Sequence, residues 1–154
     1  MYNIVEDMIS SENFEQLTKQ IRLSYAHLLK MHIQYCNRYK NFKNRVKDEE
    51  LKRDFQQIDQ FFYNEKGKIN WETICPLLPP EIEKKIKEKY SALSKNEIKL
   101  CCLLLFNVPC KDIAEILPYT QKSIHSITHR IKQKTGIKKV KEGFMYLLLN
   151  EKDE

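Results

Sequence analysis

The sequence has little glycine, three residues in 154. A β sandwich or barrel of short strands needs frequent turns, and turns consume glycine. So small a supply, beside 31% charged residues and recurring Leu, Ile, Lys and Glu, favours helices. An all-α protein is expected. Long apolar runs are also missing: LCCLLLF at 100–106 and FMYLLL at 144–149 fall far short of the ~20 residues that cross a bilayer. MYNIVEDMIS, at the start, contains acidic residues and no apolar run long enough for a signal peptide. A soluble, cytoplasmic polypeptide without membrane contact of its own follows. The five cysteines, Cys36, Cys75, Cys101, Cys102 and Cys110, form no usable pattern. Their number is odd, the adjacent pair cannot act as a C-x-x-C clamp, and no His stands at finger spacing. They are expected to be small apolar core residues in a reducing compartment, and no metal or other cofactor is implied. Carboxylates are missing from one window. From Ile116 to Val140 there is no Asp or Glu, while Lys122, Arg130, Lys132, Lys134, Lys138 and Lys139 lie inside it. The net charge of +6 is modest for the length, so its placement matters, and the excess reads as local to that window.

What is present is a long amphipathic pattern. A hydrophobic content of 42% supports a packed core in a chain of one domain, or a small domain plus an extension. Ile21, Leu28, Tyr35 and Phe42 repeat at seven, and Tyr25, His32, Tyr39 and Val46 repeat at seven between them. Both sets face one side of a helix of roughly 30 residues that starts near Ser11 or Asn13. The stripe loses phase at KDEE, 47–50, and resumes as Leu51, Phe55, Ile58 and Phe62. A helical hairpin or a bent, coiled-coil-like helix is the expectation. Aromatic residues are bulky for a plain two-stranded seam, so packing within the chain and dimer formation both stay open. His32, with no acidic or second His partner on its face, reads as a core or edge residue.

Residues 64–80 read as a connector and a boundary, dividing a long-helix region, 1–78, from a second unit, 79–154. Trp71, Ile74 and Leu77 are placed to plug a core, and Pro80 is expected at the first position of a new helix with Glu81 and Glu83 in its first turn. Ser94 with Glu97 forms a capping box before a buried helix at about 95–106. Asn107 can end it in a left-handed conformation, and Pro109 precedes a short helix, Lys111 to Leu117, that Pro118 stops. Thr120 caps a third helix whose inward face is Ile124, Ile127 or Thr128, and Ile131. Gly136 ends it, and a last helix is expected over Lys139 to Asn150, with Val140, Phe144, Leu147 and Leu148 inward. The units at 110–117 and 121–134 make a helix-turn-helix.

Residues 93–137, LSKNEIKLCCLLLFNVPCKDIAEILPYTQKSIHSITHRIKQKTGI, resemble the LuxR/GerE-type helix-turn-helix domain of bacterial transcription regulators, without a gap. Leu93, Ser94 and Glu97 match its opening L-T-x-x-E, Lys111 with Ile113 and Ala114 its K-x-I-A, and Leu117 the closing Leu of that helix. Thr120, Lys122, Ser123 and Ile124 match S-x-K-T-V, and Lys134, Gly136 and Ile137 match K-x-G-V. Asn107 stands where the family usually has Gly, and Ile127 where it usually has His. The resemblance implies a four-helix DNA-binding domain with 121–134 as the recognition helix. More loosely, the long aromatic helix, the Trp-containing connector and EKYSALSKNEIKLCCLLL resemble the cytoplasmic tail of membrane-anchored bacterial sensor-regulators, which would make the chain a fragment or a truncated relative.

The physical case runs parallel. A major groove admits one helix, and the outward face of 121–133 offers hydroxyls and imidazoles flanked by cations. Lys111, Lys122, Arg130, Lys132 and Lys134 are expected to position it through phosphates, and His125, Ser126 and His129 to reach bases. Ser123 and Thr120 begin the helix, whose N-terminus can add backbone donors to a phosphate. Expected partners are double-stranded DNA, a second copy of the chain and, for a regulator, RNA polymerase. The alternative is a protein-interaction adaptor built on long helices, with the helix-turn-helix as a packing unit. Enzymatic chemistry is not expected: there is no Cys/His dyad, carboxylate pair or phosphate loop at workable spacing.

Overall fold

A 35-residue helix, α1 (Ser11–Arg45), opens the computed structural model, which describes residues 11–144. Among the described residues there is no strand, only one isolated antiparallel bridge between Tyr63 and Ile69. The protein is all-α. After the linking residues 46–48, α2 (Glu49–Phe62) turns back along α1. Asp48 explains the loss of phase at KDEE: its carboxylate accepts from the backbone N–H of Glu50 and Leu51, at 2.8 and 3.3 Å, and so caps a new helix. The two helices pack antiparallel. Phe42 meets Phe55 at 5.9 Å, Tyr39 meets Phe55 and Phe62 at 5.8 and 6.1 Å, and His32 meets Phe62 at 6.2 Å. Tyr39 also directs its hydroxyl at Asp59, 2.8 Å away, and Lys43 pairs with the same carboxylate at 2.8 Å.

The buried face of α1 is rotated from the expected stripe. Leu29, Ile33 and Cys36 are buried, whereas Leu28, Tyr35 and Phe42 are 46%, 58% and 59% exposed. The reason is that α1 has two partners inside the chain. It meets α2 through Tyr39 and Phe42 and the C-terminal helices through Tyr25, Leu29 and Ile33, and Leu28 and Tyr35 fall outside both contacts.

The connector is pinned rather than loose. Gly67 turns it with φ +75°, and Ile69 N–H donates to the Glu115 carbonyl at 2.8 Å while Lys68 donates to the carbonyl of Ala114. Then come α3 (Trp71–Ile74) and a 3-10 turn, Cys75–Leu77. Ile74 is fully buried, and Trp71 and Leu77 are half-buried against the core. Trp71 Nε1 donates to Glu83 at 2.8 Å. Pro80 does not open the next helix. α4 (Ile82–Lys89) begins two residues later, after Glu81 at φ +61°, because burying Ile82 and Ile86 fixes the phase of its first turn.

α5 (Lys95–Leu105) is apolar nearly all round, and Leu100, Cys101, Cys102, Leu103 and Leu105 are fully buried at the centre of the molecule. The expected box caps it: Ser94 Oγ accepts from Glu97 N–H and Glu97 accepts from Ser94 N–H. Asn107 takes the left-handed conformation, φ +61°. α6 (Cys110–Ile116), α7 (Gln121–Thr135) and α8 (Val140–Phe144) complete the described chain. Phe144 is buried, 5.5 Å from Tyr90. The continuation to Asn150, with Leu147 and Leu148, lies outside the described residues.

One buried cluster runs through both expected regions, from Leu29 and Ile33 to Ile131 and Phe144, and Tyr25 meets Phe106 at 5.4 Å across the boundary expected at 78–79. The cysteines divide: Cys36, Cys101 and Cys102 are buried, Cys110 is half-buried, and Cys75 is exposed. Cys75 departs from the core expectation because it begins the 3-10 turn and directs Sγ at Glu83, 3.5 Å away. No helix among the described residues is long and apolar enough to cross a membrane.

Candidate nucleic-acid interface

α6 and α7 pack on one another and join the buried cluster that holds α5 through Ile113, Ile116, Ile124, Ile127 and Ile131. Residues 117–120 join them; Leu117 is buried, and Pro118 supplies no donor. At the start of α7, Thr120 Oγ1 accepts from Ser123 N–H at 3.1 Å and Ser123 Oγ accepts from Thr120 N–H at 3.0 Å. This reciprocal box uses the N–H groups of Thr120 and Ser123 inside the protein, so a phosphate here would be met by Gln121 and Lys122 instead. Gly136 ends the helix with φ +74°, as expected.

The packing of the three isoleucines turns Lys122, His125, Ser126, His129 and Gln133 to solvent together. Ser126 donates to the Ser123 carbonyl at 2.9 Å, which leaves its oxygen free to accept. His129 Nε2 lies 3.3 Å from Gln133 Nε2, so the two side chains form one polar pair on this face. Lys111, at the start of α6, is exposed, and Lys132 is half-buried.

Arg130 and Lys134 are engaged differently from the expectation. Glu97 is 1% exposed, and both cations converge on it: Lys134 Nζ on Oε1 at 2.7 Å, Arg130 Nε on Oε2 at 3.1 Å. Burial alone would raise this carboxyl, but hydrogen bonds from Lys134, from Ser94 N–H and from Arg130 outweigh it and bring it down to about 2. Lys134 is therefore a tie between α7 and α5. Arg130 keeps 55% of its side chain exposed, and only its Nε faces the carboxylate. The sequence showed Glu97 as a cap; its second role depends on a contact between residues more than 30 positions apart.

No family model matches the chain, and no curated protein or solved structure matches it. Nor do the described residues bring together three His, Cys, Asp or Glu that could hold a metal.

The positive charge is not confined to 116–140. Residues 16–47 also lack Asp and Glu and carry Lys19, Arg22, Lys30, Arg38, Lys40, Lys43, Arg45 and Lys47. Outside these two windows the chain is acidic, with 13 cations against 21 carboxylates. Counting carboxylates along the whole chain reveals this second window; a search for apolar periodicity in α1 passes over it. Lys30, with His27, Gln34 and Asn37, lies on the face of α1 that meets Asn107, Pro109 and Lys111 across an open groove.

Proposed function

We propose that this chain binds double-stranded DNA in the manner of LuxR/GerE-type transcription regulators, with α7 in the major groove. The observation that carries the reading is the exposed face of α7, where Lys122, His125, Ser126 and His129 stand together in a window without a carboxylate. An Asp or Glu there would be repelled by phosphates, and an ordinary solvated helix face usually intersperses Glu with its Lys. Lys111, Lys122, Arg130 and Lys132 hold the backbone; His125, Ser126 and His129 read base edges. Thr120 and Ser123 shape the helix entry, and Lys134 holds the helix in place. The role is regulatory and not enzymatic, in a bacterial cytoplasm, with RNA polymerase as a further partner.

A single helix-turn-helix reads few base pairs, so the chain acts as a dimer on paired half-sites. Leu28, Tyr35 and Phe42 on α1, with Leu51 and Ile58 on α2, offer the apolar surface for a second copy. The same surface favours a second reading, an adaptor that docks a different protein there. Selection of bound duplexes from a random pool separates the two. Enrichment of a two-part motif, with binding that falls steeply as salt rises, is the expected result; no enrichment and no binding to mixed-sequence duplex would leave the adaptor reading standing.

A further inference from the structure

We infer that α1 carries a second phosphate-binding surface, continuous with Lys111, so that the chain grips DNA outside the segment read by α7. The inference rests on the DNA-binding reading and extends it to a part of the chain that the helix-turn-helix does not include. Three observations support it. First, there is no carboxylate from residue 16 to 47, a stretch that takes in α1 beyond its first turn, although the chain as a whole holds 21. Its solvent face combines Lys19, His27, Lys30, Arg38 and Arg45 with Gln34 and Asn41, all exposed. Cations and amides are the side chains that bond phosphate oxygens without regard to sequence. Second, Lys19, Lys30, Arg38 and Arg45 have no ion pair among the described residues, whereas Lys43, on the face toward α2, is paired with Asp59. Third, the position of this face is set by packing. Tyr25 against Phe106 holds α1 to the end of α5, and the groove of about 680 Å³ beside that contact has His27, Lys30 and Gln34 on one wall and Lys111 on the other. Asp112 is the one carboxylate lining it.

Lys30 and Lys111 therefore belong to one positive surface that crosses from α1 to α6. Lys30 and Arg38, eight residues apart on a helix, are about 12 Å apart along its axis, a spacing that lets both reach one duplex. The apolar stripe of Leu28, Tyr35 and Phe42 adjoins this face, and the two meet where the Arg38 guanidinium lies 6.0 Å from the centre of the Tyr35 ring.

The test is the salt dependence of duplex binding by the full chain, for duplexes of 12 and 30 base pairs. Lys30→Gln with Arg38→Gln is expected to lower the slope of log K against log salt by about 1 to 2 on the longer duplex, since each phosphate contact contributes about 0.9. The charge-matched pair Lys52→Gln with Arg53→Gln, on α2, is expected to leave the slope unchanged. If both pairs lower it equally, or neither does while Lys122→Gln still weakens binding, the α1 surface is wrong and the reading of α7 stands. If the α1 pair changes only binding to an acidic polypeptide such as polyglutamate, the face docks protein and the inference is overturned. If the unaltered chain binds no duplex, both the inference and the DNA-binding reading fall.

Discussion

The Lys134 ammonium lies 2.7 Å from the carboxylate of Glu97, a residue buried at the start of α5, while Lys134 itself is in the last turn of α7. One carboxylate thus caps α5 and ties down the far end of the helix proposed to read DNA. Lys134→Ala leaves it with Arg130 as its one cationic partner beside the Ser94 N–H and is expected to lower stability by about 1 to 2 kcal/mol, less than a fully buried pair because both cations are partly exposed. Urea denaturation of the two proteins measures the difference.

The same carboxyl sets a pH dependence. Its folded value, about 2, is below its ordinary 4.5, so the unfolded chain takes up the proton first. The stabilisation is complete above about pH 4.5 and is lost as the pH falls toward 2. Glu97→Gln is expected to cost roughly 2 kcal/mol at pH 7, and the gap from the unaltered protein should narrow steadily in the acid range. A gap of constant size between pH 7 and pH 3 contradicts the assignment.

The proposed DNA-binding role assigns positioning and reading to different residues of α7. Lys122→Ala is expected to weaken all duplexes about equally and to reduce the salt slope by about 1. His129→Ala is expected to alter preference at particular base pairs by roughly 1 to 3 kcal/mol, and an unchanged selected motif would remove His129 from the base-reading set.

Dimerisation is tested in the full chain, because α1 shares its core with the C-terminal helices and truncation would expose Phe106. Leu28→Glu with Tyr35→Glu places like charges on the exposed stripe without touching Leu29 or Ile33. Sedimentation should show a dimer for the unaltered chain and a monomer for this variant. Two monomers would move pairing to the DNA-bound state.

Gly143 is needed for its missing side chain. A Cβ there would clash with Ile137 Cγ2, so Gly143→Ala must displace a half-buried isoleucine beside α8. A loss of about 1 to 3 kcal/mol in thermal or urea unfolding is the expected result.

Local chemistry was legible in the sequence because it acts over a few residues. Scarce glycine implied helices, Ser94 and Thr120 marked helix starts through bonds to the third residue beyond, and Asn107 and Gly136 marked ends by tolerating positive φ. The inward isoleucines of α7 followed from a period of 3.6. Tertiary structure decided what no spacing carries. The stripe on α1 was misplaced because a helix with two partners buries parts of two faces, and a sevenfold repeat cannot tell which apolar residue faces neither. Pro80 was passed over as a helix start because Ile82 and Ile86 had to reach the core. Glu97 became a tie to Arg130 and Lys134, and Lys30 came to face Lys111, only when distant segments packed together. Contacts between residues far apart in the chain are fixed by the shape of the shared core, which depends on all its side chains at once.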